Sequence, residues 1–163
     1  MLQGEAMAKI IRAGEGEILG AIAGCRDRFL VDSKDWGGRL GVVEHLLAPH
    51  AIAAPLHRHT LEDEFSLIIE GTVWYHASGE EYVAGVGDFV FKPRGEWHTF
   101  WNAADTPARV LELISPGGLE EAFRIIGTAG DDLDLGALVE PFGCQGDFAA
   151  TQPIIDKYGL TFG

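Results

Sequence analysis

Cysteine is scarce in this chain. Cys25 and Cys144 are the only two in 163 residues, and they show no Cys-x-x-Cys spacing. A disulfide scaffold needs more pairs in a shorter chain, so two buried free thiols in a reducing cytoplasm are expected. Basic residues are also few: 12 lysines and arginines stand against 25 acids, for a formal net charge of −13. Such a surface repels phosphate backbones and anionic lipid, so neither nucleic acid nor a membrane is an expected partner. No apolar run approaches the length of a membrane span. Ile22-Ala23-Gly24-Cys25 has the form of a bacterial lipoprotein cleavage box, but Glu15 and Glu17 precede it where a leader needs a basic start and a long apolar run. Internal repeats and low-complexity linkers are absent as well.

What is present is an apolar fraction of 47% spread over many short segments. That suits one domain with a single core. Residues 1–8 read as a loose start and Lys9 to Arg12 as a short strand. Strands are then expected over Ile18–Gly24, Arg28–Asp32, Arg39–Ala48, Glu64–Glu70, Thr72–Ala77, Glu81–Ala84, Asp88–Phe91, Trp97–Asn102 and Ala108–Ser115, with the segment of His57 and His59 as a further strand. Ser78-Gly79-Glu80 carries hairpin-turn chemistry. Many short strands with glycine-rich turns and no intervening long helix predict an all-β sandwich or barrel. The barrel core spans about 17–115. A helical tail over about 117–163 completes the single domain, 1–163. In it Leu119, Ala122, Phe123 and Ile126 have helical spacing. Asp132–Glu140 is a second helical candidate, and Phe148–Tyr158 a third that Pro153 interrupts.

Histidines mark the site. His57 and His59 stand two apart, and on a strand such residues point to one face. Glu64 follows after a turn, and His98 lies on a distant predicted strand. A lone His-x-His pair is more often two surface histidines than a metal site. Two imidazoles joined by a carboxylate and a third histidine form instead a nitrogen–oxygen donor set that suits Fe(II), Mn(II), Ni(II), Co(II), Cu(II) or Zn(II). Four ligands leave an octahedral ion two open positions for water, substrate or dioxygen. Asp63 competes with Glu64 for the carboxylate position. Glu64 is also a candidate catalytic proton acceptor, and the choice of Glu64 over Asp63 rests on the resemblance that follows.

The spacings go further. His-x-His, four residues, Glu64, six residues, Gly71 is followed by Gly87, five residues, Pro93-x-Gly95, two residues, His98, three residues, Asn102. These blocks resemble the two sequence signatures of the cupin family. One position departs: the family glycine six residues before the first histidine is Ala51 here, which bears on turn geometry. The resemblance implies a jelly-roll barrel with His57, His59, Glu64 and His98 around one divalent transition metal. The family spans dioxygenases, isomerases, decarboxylases and proteins without catalysis. Pro116-Gly117-Gly118-Leu119-Glu120-Glu121-Ala122-Phe123, with Tyr158-Gly159-Leu160-Thr161-Phe162, resembles bacterial single-domain cupins grouped with quercetin 2,3-dioxygenase. That implies a metal-dependent dioxygenase acting on a small hydroxylated compound of flavonol-like or aromatic type. The alternatives are a small-molecule-binding cupin without turnover and a metal-dependent isomerase of a sugar or keto acid.

Alternation extends the site to a pocket. If Glu64 points inward, so do Ser66 and Ile68; if His98 does, so do Phe100 and Asn102. Phe100 reads equally well as plain barrel core. His45, His50 and His76 lack partner spacing and read as surface or polar-core histidines, although His45 lies on a long strand that could line the barrel. A homodimer is expected, with Trp74 and Trp101 as outward-facing anchors.

Overall fold

The structure is a computed structural model that describes residues 9–20, 24–129 and 134–161. The expected loose start at 1–8, residues 21–23 of the cleavage-like box and of the first expected strand, the start of the second expected helix and Phe162 lie outside them. Eleven strands and three α-helices follow in order: β1 Glu17–Gly20, β2 Cys25–Val31, β3 Gly41–Leu47, β4 Leu56–His59, β5 Asp63–Glu70, β6 Thr72–Ala77, β7 Glu80–Gly85, β8 Phe89–Lys92, β9 His98–Trp101, β10 Ala108–Ser115, α1 Glu120–Thr128, α2 Leu135–Val139, β11 Cys144–Asp147 and α3 Phe148–Tyr158. Lys9 to Arg12 forms no strand.

Two antiparallel sheets make the barrel. The larger has six strands in the order β1-β2-β3-β10-β5-β8, and the smaller five in the order β11-β4-β9-β6-β7. Neighbours distant in sequence pair in both, as a jelly roll requires. The facing surfaces enclose Leu47, Ile68 and Val110 from one sheet against Val73, Tyr75 and Phe100 from the other. Strand alternation puts these side chains inward, and their removal from water is the main stabilising term. The β6–β7 hairpin turns through Ser78 and Gly79, with φ of 53° and 77°, the doubly left-handed geometry of a tight hairpin. In the turn before β4, Ala51 is fully buried, and the left-handed residue is its neighbour His50, at φ 56°.

The tail does three jobs. α1 lays Leu119 and Ala122 on Phe29, Val43 and Ile114. β11, for which the sequence offers no strand signal, adds an edge to the smaller sheet, with Gly146 opposite His57 and Cys144 opposite His59. α3 covers that sheet's outer face. It runs unbroken through Pro153, because Thr151 accepts a hydrogen bond from the Leu56 amide (2.8 Å) and Ile154 is buried beneath it. This corrects the placement of Trp101. It does leave the barrel interior, but α3 lies over it: Trp101 is fully buried with Ile52, Ile154 and Leu160, and its ring centroid is 5.1 Å from that of Tyr158. Trp74 packs partly buried against the same cluster. No helix among the described residues is long and apolar enough to cross a membrane.

Candidate metal centre

The two sheets meet at four side chains. β4 contributes His57 and His59, both inward by alternation, and β9 contributes His98, paired directly opposite His57. The three rings cluster, with centroids 4.5 to 5.2 Å apart. Glu64 reaches them from β5 in the other sheet. The donor atoms of these four residues all lie within 4.8 Å of one another. An ion with bonds of about 2.0–2.2 Å spans about 4.4 Å between opposite donors, so shifts of a few tenths of an ångström would close the set. Asp63 points away; Arg94 holds it through Nη2 (2.7 Å) and its backbone amide (2.9 Å). Those bonds depress the Asp63 carboxyl to about 2. The carboxylate beside the three imidazoles is Glu64.

Hydrogen bonding leaves the imidazoles able to act as ligands. His57 Nδ1 lies 2.7 Å from the Pro55 carbonyl and His98 Nδ1 lies 3.0 Å from the Glu96 carbonyl. A carbonyl only accepts, so each Nδ1 carries the proton and each Nε2 presents a lone pair. His98 Nε2 then faces Glu64 Oε2 at 3.1 Å, one acceptor against another. Such a contact is repulsive unless a proton or a cation sits between them. His59 is buried with no hydrogen-bond partner for either ring nitrogen; its Nε2 is 3.5 Å from Glu64 Oε2, beyond a well-made bond. Orphaned buried nitrogens and opposed acceptors are what a divalent ion would satisfy, so the residues present fit one.

The titrations follow from the same neighbours. Burial, then the adjoining His98 and His59, hold His57 well below the ordinary imidazole value. Burial likewise lowers His98, with Lys92 adding to it. Both are therefore neutral, as ligands must be. His59 goes the other way. Burial opposes its charge, but Glu64 outweighs that and raises it to about 10. Burial pushes the Glu64 carboxyl up, yet Lys92 and His59 hold it well below the carboxylate range.

Behind Glu64 lies a buried polar group that sequence reasoning missed. Lys92, on β8, is 1% exposed, 3.0 Å from Glu64 Oε2 and 2.8 Å from Glu112 Oε2. Ser66 donates to the same Glu112 oxygen at 2.8 Å. Glu112 sits inside β10, where Val110, Leu111, Leu113 and Ile114 make both faces apolar. That leaves no alternation to read its direction from; the signal is a single acid within an apolar strand.

A cavity of about 80 Å³ opens onto the site. His57, His59 and Glu64 line one part of it, and Phe100 is shared between this wall and the core. α1 and α2 close it with Phe123, Ile126, Leu135 and Val139. The other expected pocket residues are turned to structural tasks and are not among its lining. Ser66 bonds Glu112, and Ile68 is core. Asn102 ties a turn, donating to the Ala48 and Thr106 carbonyls at 3.0 and 2.8 Å. His45, set aside by spacing alone, lines the cavity beside Asp27.

A jelly-roll barrel with this donor set resembles the cupins. Residues 43–114 match the family described as Cupin domain. The tetracenomycin polyketide synthase protein TcmJ of Streptomyces glaucescens is 29% identical over 89 residues, which are 55% of this chain and 60% of that relative. The chain thus spans under two thirds of that relative's length. Among solved structures, the polyketide cyclase RemF of Streptomyces resistomycificus matches with a TM-score of 0.59 at 24% identity, over 68% of this chain and 81% of that one. KdgF of Halomonas sp. matches with a TM-score of 0.62 at 17% identity, over 71% and 99%. At those identities the structural likeness shows the fold alone.

Proposed function

We propose that the protein is a metal-dependent enzyme of the dioxygenase type, acting on a small hydroxylated compound with an apolar or aromatic body. The observation that supports this is that His57, His59 and Glu64 of the donor set stand at the wall of a cavity whose remaining walls are mainly apolar. A divalent ion held by His57, His59, Glu64 and His98 supplies Lewis-acid polarisation of a substrate oxygen and open positions beside it. The chain does the rest. Phe100, Phe123 and Ile126 bind the apolar body and exclude water. Glu64 is the candidate proton acceptor on the metal side. Size selects among substrates: about 80 Å³ holds a few waters, against roughly 300–1,000 Å³ for drug-sized ligands. A compact, single-ring compound is therefore favoured.

A second reading is non-oxidative proton-transfer chemistry, cyclisation or isomerisation, on the same ligands. The same donor set supports it, since proton transfer at such a site needs no oxidant. The two separate in an oxygen electrode, with protein loaded metal by metal and supplied with single-ring dihydroxyaromatics and flavonols. Oxygen uptake that is lost in His57→Ala supports the dioxygenase. Substrate turnover without uptake supports the second reading, and ligand-induced thermal shifts without turnover point to a binding protein.

A further inference from the structure

Asp27 and His45 form a buried pair that the metal site does not use. They face each other across β2 and β3 in direct register. Asp27 Oδ1 lies 2.7 Å from His45 Nδ1, with the two side chains 6% and 8% exposed. A carboxylate accepts, so Nδ1 carries the proton. The Cys25 thiol, 3.9 Å from the same oxygen, supports Asp27 from behind. Phe100 and Phe123 fix the imidazole plane, with centroids 5.4 and 5.6 Å away. Both members of the pair line the cavity that His57, His59 and Glu64 also line. With Nδ1 committed to Asp27, Nε2 is the nitrogen left to meet a bound molecule.

We propose that His45, oriented by Asp27, is the proton acceptor for a hydroxyl of a substrate whose other oxygen is held at the metal ligands of the same cavity. In that step the substrate O–H bond breaks, its electron pair stays on oxygen, and a new N–H bond forms at Nε2. The proton returns to the product, so no oxidant is consumed by the step. Asp27 stays ionised, stabilises the imidazolium and acts as a positioning residue. The charged groups around the ring agree. Burial disfavours imidazolium, but Asp27 and then Glu112 outweigh both burial and the opposing Lys92, leaving His45 raised. On β2 the Cys25 thiol, which burial and Asp27 keep protonated, is a further titratable neighbour, and Arg28 and Glu44, beside Asp27 and His45 in the chain, are paired with each other.

This inference rests on the reading that a small hydroxylated compound sits against the metal ligands. The test uses zinc-loaded full-length protein, because zinc is redox-inert, and 4-nitrocatechol, a single ring whose ionisation is visible by absorbance. The ionisation midpoint of the bound probe is recorded against pH. His45→Gln is expected to raise that midpoint by about one to three pH units relative to wild type, the effect of removing an adjacent acceptor of the proton. Asp27→Asn is expected to move it part of the way, with zinc content unchanged in both variants. Unaltered midpoints with intact probe binding overturn the role of His45 and leave the site reading standing. Failure of the probe to bind zinc-loaded wild type overturns both. A second zinc per chain that disappears in His45→Gln overturns the proposal by making Cys25, Asp27 and His45 a metal site.

Discussion

His59 is the most exacting member of the cluster. It is 2% exposed, and neither ring nitrogen has a hydrogen-bond partner. Without an ion, the ring compensates Glu64 by keeping a proton, which is why its value rises from 6.5 to about 10. A histidine raised on folding contributes stability that is complete below its unfolded value and lost as pH rises through the folded one. Chelator-treated protein should therefore lose thermal stability between about pH 6.5 and 10. Metal binding displaces that proton and grows stronger with pH. The metal-dependent rise in Tm should widen over the same window, and scanning calorimetry with and without chelator measures it. A gap that narrows with pH would remove His59 from the ligand set.

At the scale of elements, legibility followed local pattern. β6 and β10 fall where alternation places them, because propensity and tertiary packing agree there, whereas α3 keeps its expected bounds but runs through the Pro153 expected to interrupt it. β11 did not show: Cys-Gln-Gly-Asp has no strand character and is extended only because β4 pairs with it. Trp101 shows a different limit. Alternation gives the face a residue takes, but not whether a remote helix covers that face. The clustering of the four candidate ligands was readable because short spacings on strands fix direction. Lys92, Glu112 and Asp27 were not, because their roles depend on which strands lie side by side. Gly71 joins both kinds of information. Its φ is 76°, and a Cβ there would stand 2.7 Å from the Pro107 carbonyl oxygen and 3.0 Å from Ala108 Cα. Gly71→Ala should lower unfolding free energy by about 1–3 kcal/mol, the scale of left-handed strain plus a backbone clash, as read from denaturant melts. Unchanged stability would mean that the β5–β6 turn relaxes freely.

For the whole molecule, the expected dimer needs other anchors than the tryptophans. α3 and the C-terminal segment cover Trp101, whereas Phe89 and Phe91 on the edge strand β8 are 58% and 54% exposed. Both stack on Phe65, at 5.9 and 4.9 Å between centroids, on the outer face of the larger sheet. On a chain of net charge −13, such an apolar edge is where a second copy would bury surface. Light scattering is expected to give twice the mass of one 17.6 kDa chain, falling to one chain in Phe89→Ser/Phe91→Ser. A monomeric wild type, or a double variant that stays dimeric, would count against this interface.

Four side chains from two sheets are expected to hold one divalent ion. Elemental analysis of protein purified without chelator tests this most directly. Wild type should carry about one transition-metal ion per chain, and His57→Ala and His98→Ala should each lose most of it, since removing one ligand and its orientation lowers affinity by roughly 10–100-fold or more. Full metal content in both variants would contradict the assignment.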